Sequence, residues 1–234
     1  MRMMAALGVA LLMALEINPV SAAEQVPVTA IDVLLVPDAT MADRAQAANA
    51  RLLKVYPASF TLDEAHQPHI TLIQRFVRTD ELAEVYAAVG RALAAAGISN
   101  LKLEAIKNYY TPGSETGVAG ILVRRTPELL KLQQDMIAAV APFTVETGPI
   151  SAFTAPHDAA ANDAMLIGYV ATFVPKQTGE NFNPHVSTGV APKTYLDGMT
   201  AEPFEPFIFS PSGAGIYQLG PFGTAAKRLK SWEP

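Results

Sequence analysis

The chain has 234 residues, of which 50% are hydrophobic and 17% are charged, and it contains no cysteine. This length and apolar content are sufficient for a folded core and exclude an intrinsically disordered protein. The lack of cysteine excludes disulfides, thiolate metal sites and a cysteine nucleophile. A net charge of −5 argues against a protein that binds long nucleic acid, because such proteins need a basic surface to neutralise phosphates.

The N-terminus has the order of features found in a secretory signal peptide. Arg2 precedes a short apolar run, and small residues follow up to Ala22 and Ala23. The run is shorter than the roughly 20 residues that span a bilayer, although a buried helix or a membrane anchor is the alternative. We therefore predict a signal peptide over residues 1–23, cleaved after Ala22 or Ala23. The mature chain, residues 24–234, is expected to be a periplasmic or secreted monomer that does not insert into a membrane.

Hydrophobic patterning in the first half predicts alternating strands and helices. A β-branched run ended by Pro37 is typical of a buried strand, and Gly97 is a natural helix terminator. The predicted elements are a strand over 28–36, a helix from a Thr40 cap to about Tyr56, a strand over 69–77, a helix from Thr79 to Ala96, and a hairpin of strands over 101–110 and 118–124.

The second half is predicted to be richer in strands. Thr126 and Pro127 have the chemistry of a helix start, which predicts a helix to about Val140. The later predicted elements are a strand over the apolar run 165–174, a strand over 185–191, a short helix after Pro192, and one or two strands over 207–219. This order predicts an α+β fold with two pseudo-equivalent lobes in one compact domain.

Two H-x-[ST] tripeptides stand out, His69-Ile70-Thr71 and His185-Val186-Ser187, and a proline precedes each of them. Each begins a predicted strand. Side chains at positions i and i+2 of a strand point to the same face, so each histidine is expected beside its own hydroxyl. The same alternation places Arg75 on the face of His69 and Thr71, where it is either a phosphate clamp or a solvent-exposed arginine.

Two imidazoles and two hydroxyls are a suitable set for phosphate chemistry. Imidazole has an unperturbed pKa of about 6.5, which allows one histidine to act as a base and another as an acid near neutral pH. The hydroxyls of Thr71 and Ser187 would donate hydrogen bonds to phosphoryl oxygens. We therefore predict that His69 and His185 are catalytic and that Thr71, Ser187 and Arg75 bind phosphate.

The segments His69-Ile70-Thr71-Leu72 and His185-Val186-Ser187-Thr188, with the tail Tyr217–Ala225, resemble the 2H phosphoesterase superfamily and its exported 2′-5′ RNA ligase-like branch. One departure is Thr188, where the family usually has a hydrophobic residue. The resemblance covers the chain from about Val28 onwards. It implies a bilobal fold, two pseudo-symmetric β-sheet lobes with flanking helices around a central cleft. It also implies metal-independent hydrolysis or ligation at 2′,3′-cyclic phosphates and related esters, with no cofactor.

Several alternatives remain open at the level of sequence. His66 precedes His69 by three residues, but Pro68 forbids the helix on which that spacing would bind a metal, so we expect no metal site. His157 is expected in a loop. Tyrosines at 109, 110 and 217 either stack on a base or simply pack. The partner is expected to be a small phosphodiester or cyclic phosphate, and the alternative to an enzyme is a non-catalytic module that binds a phosphorylated ligand in the same cleft.

Overall fold

The computed structural model of the protein describes residues 26–64, 66–154 and 160–233. The predicted signal peptide and His157 lie outside these ranges. Two antiparallel sheets flanked by helices make up the described part, which confirms the predicted α+β class with two β-sheet lobes. Among these residues, no helix is both long enough and apolar enough to cross a bilayer.

The first sheet has five strands in the order β5-β2-β1-β8-β9, and every neighbouring pair is antiparallel. One of its faces is covered by helices α2 and α3 through a continuous apolar core. Full burial of a side chain such as Val89 or Met136 contributes about 1.5–3 kcal/mol. The elements of this lobe are β1 (Val28–Pro37), β2 (Ile70–Arg78), α2 (Leu82–Ala96), α3 (Pro127–Val140), β5 (Thr144–Val145), β8 (Pro211–Leu219) and β9 (Ala225–Trp232).

The second sheet has four strands in the order β6-β4-β3-β7, again all antiparallel. Helices α1 and α6 pack on one face of it, where Leu52, Ala119 and Leu196 are buried together. The opposite face has Val118 exposed. The elements of this lobe are α1 (Ala39–Val55), β3 (Leu103–Pro112), β4 (Thr116–Val123), β6 (His185–Pro192), α6 (Lys193–Ala201) and β7 (Phe207–Phe209).

The predicted strand over 165–174 is wrong, because this segment forms helices α4 (Ala160–Ala171) and α5 (Phe173–Gln177). Leu166 and Val170, one turn apart, pack in the cluster of Phe76 on the first sheet. Met165 is exposed on the other side of the helix, and Tyr169 is half-exposed with its ring edge-on to that of Phe173. The segment is apolar throughout, and an unbroken apolar run does not distinguish a buried strand from a helix by periodicity.

Most predicted element ends agree with the structure. Thr126 caps α3 through the Leu129 amide, and Gly97 ends α2 with φ of 59°, as predicted. Helix α1 differs, since Asp38 rather than Thr40 caps it by accepting a hydrogen bond from Met41. Strand β9 was not predicted. It is the edge strand of its sheet and is rich in basic residues, a composition that protects an exposed edge but weakens the strand pattern.

Candidate active site

The two motif histidines are held in the same way. Nδ1 of His69 lies 2.7 Å from the carbonyl oxygen of Gln67, and Nδ1 of His185 lies 2.7 Å from that of Asn183. A carbonyl oxygen only accepts, so Nδ1 must carry the proton in both rings. Nε2 of each ring is therefore the atom that is free to exchange a proton with a substrate.

Both motif strands contain a β-bulge directly after the motif hydroxyl. The register of β2 with β1 skips Leu72, and the register of β6 with β4 skips Thr188. Leu72 and Thr188 are both buried, at 0% and 1% exposure. Thr188, the departure noted in the sequence of the second motif, is thus a buried bulge residue in the structure.

The bulge on β2 corrects one prediction. Pairing places Thr71 opposite Leu34 and Gln74 opposite Asp32, so all four side chains share a face. Arg75 pairs with Ile31, whose side chain is in the core on the other face of the sheet. The predicted position of Arg75 beside His69 and Thr71 is wrong, because simple alternation fails where a bulge inserts a residue. Burial there lowers the pKa of Arg75.

A buried carboxylate, Asp32 on β1, lies behind the first motif. Its side chain is 0% exposed, and its Oδ2 accepts hydrogen bonds from the hydroxyl of Thr71 at 2.8 Å and from Nε2 of Gln74 at 3.0 Å. The same oxygen is 3.9 Å from Nε2 of His69. Burial raises the pKa of Asp32, and the adjacent charge of His69 partly offsets this rise. The carboxyl group of Asp32 therefore retains its proton to higher pH than an exposed aspartate would.

The second histidine lies in a more apolar environment. The ring of Tyr109 is 5.3 Å from the ring of His185, with the two planes at 54°. Burial lowers the pKa of His185, and the nearby charge of His69 lowers it further. The two imidazoles are therefore within electrostatic range of each other, consistent with the contact between β2 and β6.

Helix α4 brings a further tyrosine towards this region. Burial, with the charges of Asp32 and Tyr109, raises the pKa of Tyr169 to about 12. Asp32 belongs to the first sheet and Tyr109 to the second, so Tyr169 lies near the junction of the two lobes. The sequence did not indicate this residue, because its segment was predicted to be a strand.

Asp32 and Lys107 were missed by the sequence analysis. Pairing across β3, β4 and β6 aligns Lys107 with His185 and Tyr109 with Ser187 on one face of the second sheet. Lys107 is exposed. The signal for Asp32 was present, since it is the one charged residue within a β-branched strand; Lys107 could be identified only once the strand register was known.

The remaining sequence candidates divide between the site and its surroundings. Tyr217 is buried beside the first motif, because it pairs with Asp32 across β1 and β8 and its hydroxyl donates to Oε1 of Gln67 at 3.4 Å. The hydroxyl of Tyr110 donates to Asp197, so this tyrosine packs as a structural residue. His66 stacks on Phe60, with ring centroids 5.3 Å apart. Over residues 26–64, 66–154 and 160–233, no group of three or more acidic or histidine side chains is arranged to hold a metal ion.

Comparisons with known proteins identify the fold. No family model matches the chain, and no curated protein sequence does. Among solved structures, TT0787 of Thermus thermophilus aligns with a TM-score of 0.52 and 17% identity, over 88% of this chain and 97% of that one. Usb1 of Kluyveromyces marxianus gives a TM-score of 0.37 and 11% identity, over 86% and 96%, a likeness too weak to define a fold. The first alignment shows that the chain shares the bilobal α+β fold of TT0787.

Proposed function

We propose that this protein is a metal-independent phosphoesterase of the 2H superfamily that hydrolyses a small 2′,3′-cyclic phosphate or a similar nucleotide-like phosphodiester. One observation supports this most directly. In two equivalent strands, Nδ1 of His69 and of His185 donates to the carbonyl two residues earlier, which leaves both Nε2 atoms available near the junction of the lobes. Two opposed imidazoles are what concerted acid and base catalysis at a phosphodiester requires.

The different environments of the two histidines determine which acts as the base and which as the acid. His185 is held neutral by burial and by the charge of His69, so its Nε2 acts as the base. Nε2 of His69 lies 3.9 Å from the carboxylate of Asp32, and the attraction between the two charges favours the imidazolium form, so Nε2 of His69 acts as the acid. Pairs of titratable groups whose environments separate their protonation states commonly take these two roles.

The reaction then proceeds as follows. Nε2 of His185 removes a proton from water as the water oxygen attacks phosphorus. The bond between phosphorus and one ribose oxygen breaks, and His69 gives its Nε2 proton to that oxygen. The product is a phosphomonoester, and transfer of a proton from His185 to His69 through solvent restores the starting state.

The hydroxyl of Ser187 donates to a phosphoryl oxygen in this scheme and stabilises the charge that develops there. Thr71 donates to Asp32 in the free protein. It binds phosphate only if its hydroxyl turns from Asp32 to the substrate. Ser187 is therefore the principal hydroxyl donor.

The experiment is a turnover assay in EDTA. The purified protein is incubated with 2′,3′-cyclic, 3′,5′-cyclic and linear nucleotide substrates, and the products are separated by chromatography. Conversion of the 2′,3′-cyclic substrates to a single phosphomonoester isomer is expected. Saturable binding of these compounds without any product would contradict the proposal and favour a non-catalytic module that holds a phosphorylated ligand.

A further inference from the structure

The carbonyl group at each β-bulge is bonded to a buried side-chain amide. Nδ2 of Asn49 on α1 donates to the carbonyl of Thr188 at 2.8 Å, and Nε2 of Gln133 on α3 donates to that of Leu72 at 3.0 Å. The two amide residues are 2% and 0% exposed. An unpaired carbonyl buried in this way would be costly, so each amide stabilises the irregular strand on which a motif lies.

Each amide also bonds to a loop, and in both cases that loop leads to the histidine of the other motif. Asn49, which supports the strand of His185, donates to the carbonyl of Phe60 at 2.9 Å and accepts from the amide of Leu62 at 3.1 Å. That segment leads into His69.

Gln133 makes the corresponding pair of contacts for the first motif. Gln133 supports the strand of His69, and its Oε1 accepts from the amide of Gly179 at 3.2 Å. The segment that begins at Gly179 leads into His185. Each amide thus connects the bulge of one motif to the loop that delivers the histidine of the other.

We propose that Asn49 and Gln133 are positioning residues that jointly set the separation of the two imidazoles. This inference rests on the proposed function, in which both Nε2 atoms must reach one phosphate. A misplacement of about 1 Å in such an arrangement costs roughly 10²-fold in rate. Crossed connections oppose such an error, because neither histidine can shift without straining the strand that carries the other.

If Asn49 only stabilised its loop, removing another hydrogen bond to the same loop would have the same effect. Gln46 provides this matched control. Gln46 lies one turn before Asn49 on α1, and its Nε2 donates to the carbonyl of Leu62 at 3.1 Å. It therefore holds the same loop as Asn49. Within the residues that the structure describes, it makes no hydrogen bond to β6.

The test is the imidazole ¹⁵N spectrum of three variants, Asn49→Leu, Gln133→Met and Gln46→Leu. We expect Asn49→Leu and Gln133→Met each to shift the signals of both His69 and His185, and Gln46→Leu to shift His69 alone. If Asn49→Leu or Gln133→Met fails to fold, Asn49→Ala or Gln133→Ala replaces it, since each removes the donor to the bulge without overpacking the core or burying a charge. A response confined to one histidine in both amide variants would overturn the proposal.

The kinetic readout separates positioning from substrate affinity. Asn49→Leu and Gln133→Met are expected to lower kcat by about 10²-fold and to change KM by less than about threefold, while Gln46→Leu keeps kcat within about threefold. Losses of kcat that follow the melting temperature equally in all three variants would contradict a positioning role. The spectra need no turnover, so a failure of the proposed function would not be confused with a failure of this inference.

Discussion

Asp32 places a fully buried carboxylate oxygen 3.9 Å from Nε2 of His69. This distance is too long for a hydrogen bond but short enough for electrostatic coupling, since the carboxylate is fully buried. Within the described residues, no ion pair joins His185 to a carboxylate. The two motifs are therefore alike in sequence but different in their capacity to hold a proton.

Replacement of Asp32 by Asn is expected to slow the acid step. Hydrolysis of a 2′,3′-cyclic nucleotide, whose ribose leaving group needs a proton, should fall by about 10-fold, less than the roughly 10²–10⁴-fold expected when the acid itself is removed. A p-nitrophenyl phosphodiester has a leaving group that departs without a proton and should be hydrolysed at nearly the wild-type rate. Steady-state kinetics on both substrates is the measurement. Asp43→Asn, the same charge change at an exposed position, is the control, and equal losses on both substrates would contradict the assignment.

Asp32→Asn is also expected to increase the free energy of unfolding relative to wild type as pH rises. Burial raises the pKa of Asp32 in the folded state, so folding favours its neutral form, and this contribution is lost as pH rises from about 4 through the folded pKa. Asn is neutral at every pH. The free energy of unfolding of Asp32→Asn relative to wild type should therefore increase with pH over that window, as measured by urea titrations at several pH values. A difference that does not vary with pH would show that Asp32 is not perturbed.

The titration of His185 tests the proximity of the two imidazoles without turnover. Its pKa is lowered first by burial and then by the charge of His69, so its midpoint by NMR should lie below the usual value of about 6.5. In His69→Gln the like charge is removed, and the midpoint of His185 should rise. The control is His66→Gln, which removes an imidazole stacked on Phe60 and should leave the midpoint where it is. An unchanged midpoint in His69→Gln would place the histidines in separate environments.

Lys107 is expected to contact the substrate beyond the scissile phosphate. It is exposed and aligned with His185 across the open face of the second sheet. Lys107→Gln should raise KM for a cyclic nucleotide by several-fold with kcat little changed, since removal of a ground-state contact affects binding alone. Lys102→Gln is the matched control, because Lys102 is bonded to Ser210. Equal KM values for wild type and Lys107→Gln would exclude the contact.

The sequence was sufficient for the parts of the fold that follow from local pattern. Helix starts such as Thr126-Pro127 and the alternation in β6 depend on neighbours in the chain, so they could be predicted. Helix α4 could not, because its apolar run fits both a helix and a strand. Arg75 was assigned to the wrong face because a bulge at Leu72 shifts the register, and a bulge depends on the partner strand.

The candidate site shows the same limit. The two motifs indicated His69, Thr71, His185 and Ser187 as candidates, since their chemistry is carried in adjacent residues. Asp32 acts through a pairing between β1 and β2, and Asn49 reaches Thr188, which is 139 residues away in the chain. Such contacts leave no periodic signal in a single sequence.

The most direct test of the central claim is the rate of 2′,3′-cyclic nucleotide hydrolysis, in EDTA, by wild type, His69→Gln, His185→Gln and His66→Gln. The proposed mechanism predicts that the first two variants lose about 10²–10⁴-fold in kcat, as is usual for removal of a general acid or base, while His66→Gln retains the wild-type rate. With a p-nitrophenyl phosphodiester, the kcat of His69→Gln should approach that of wild type, and the kcat of His185→Gln should remain low. Wild-type turnover that survives in either His69→Gln or His185→Gln on the cyclic substrate would contradict a two-histidine phosphoesterase.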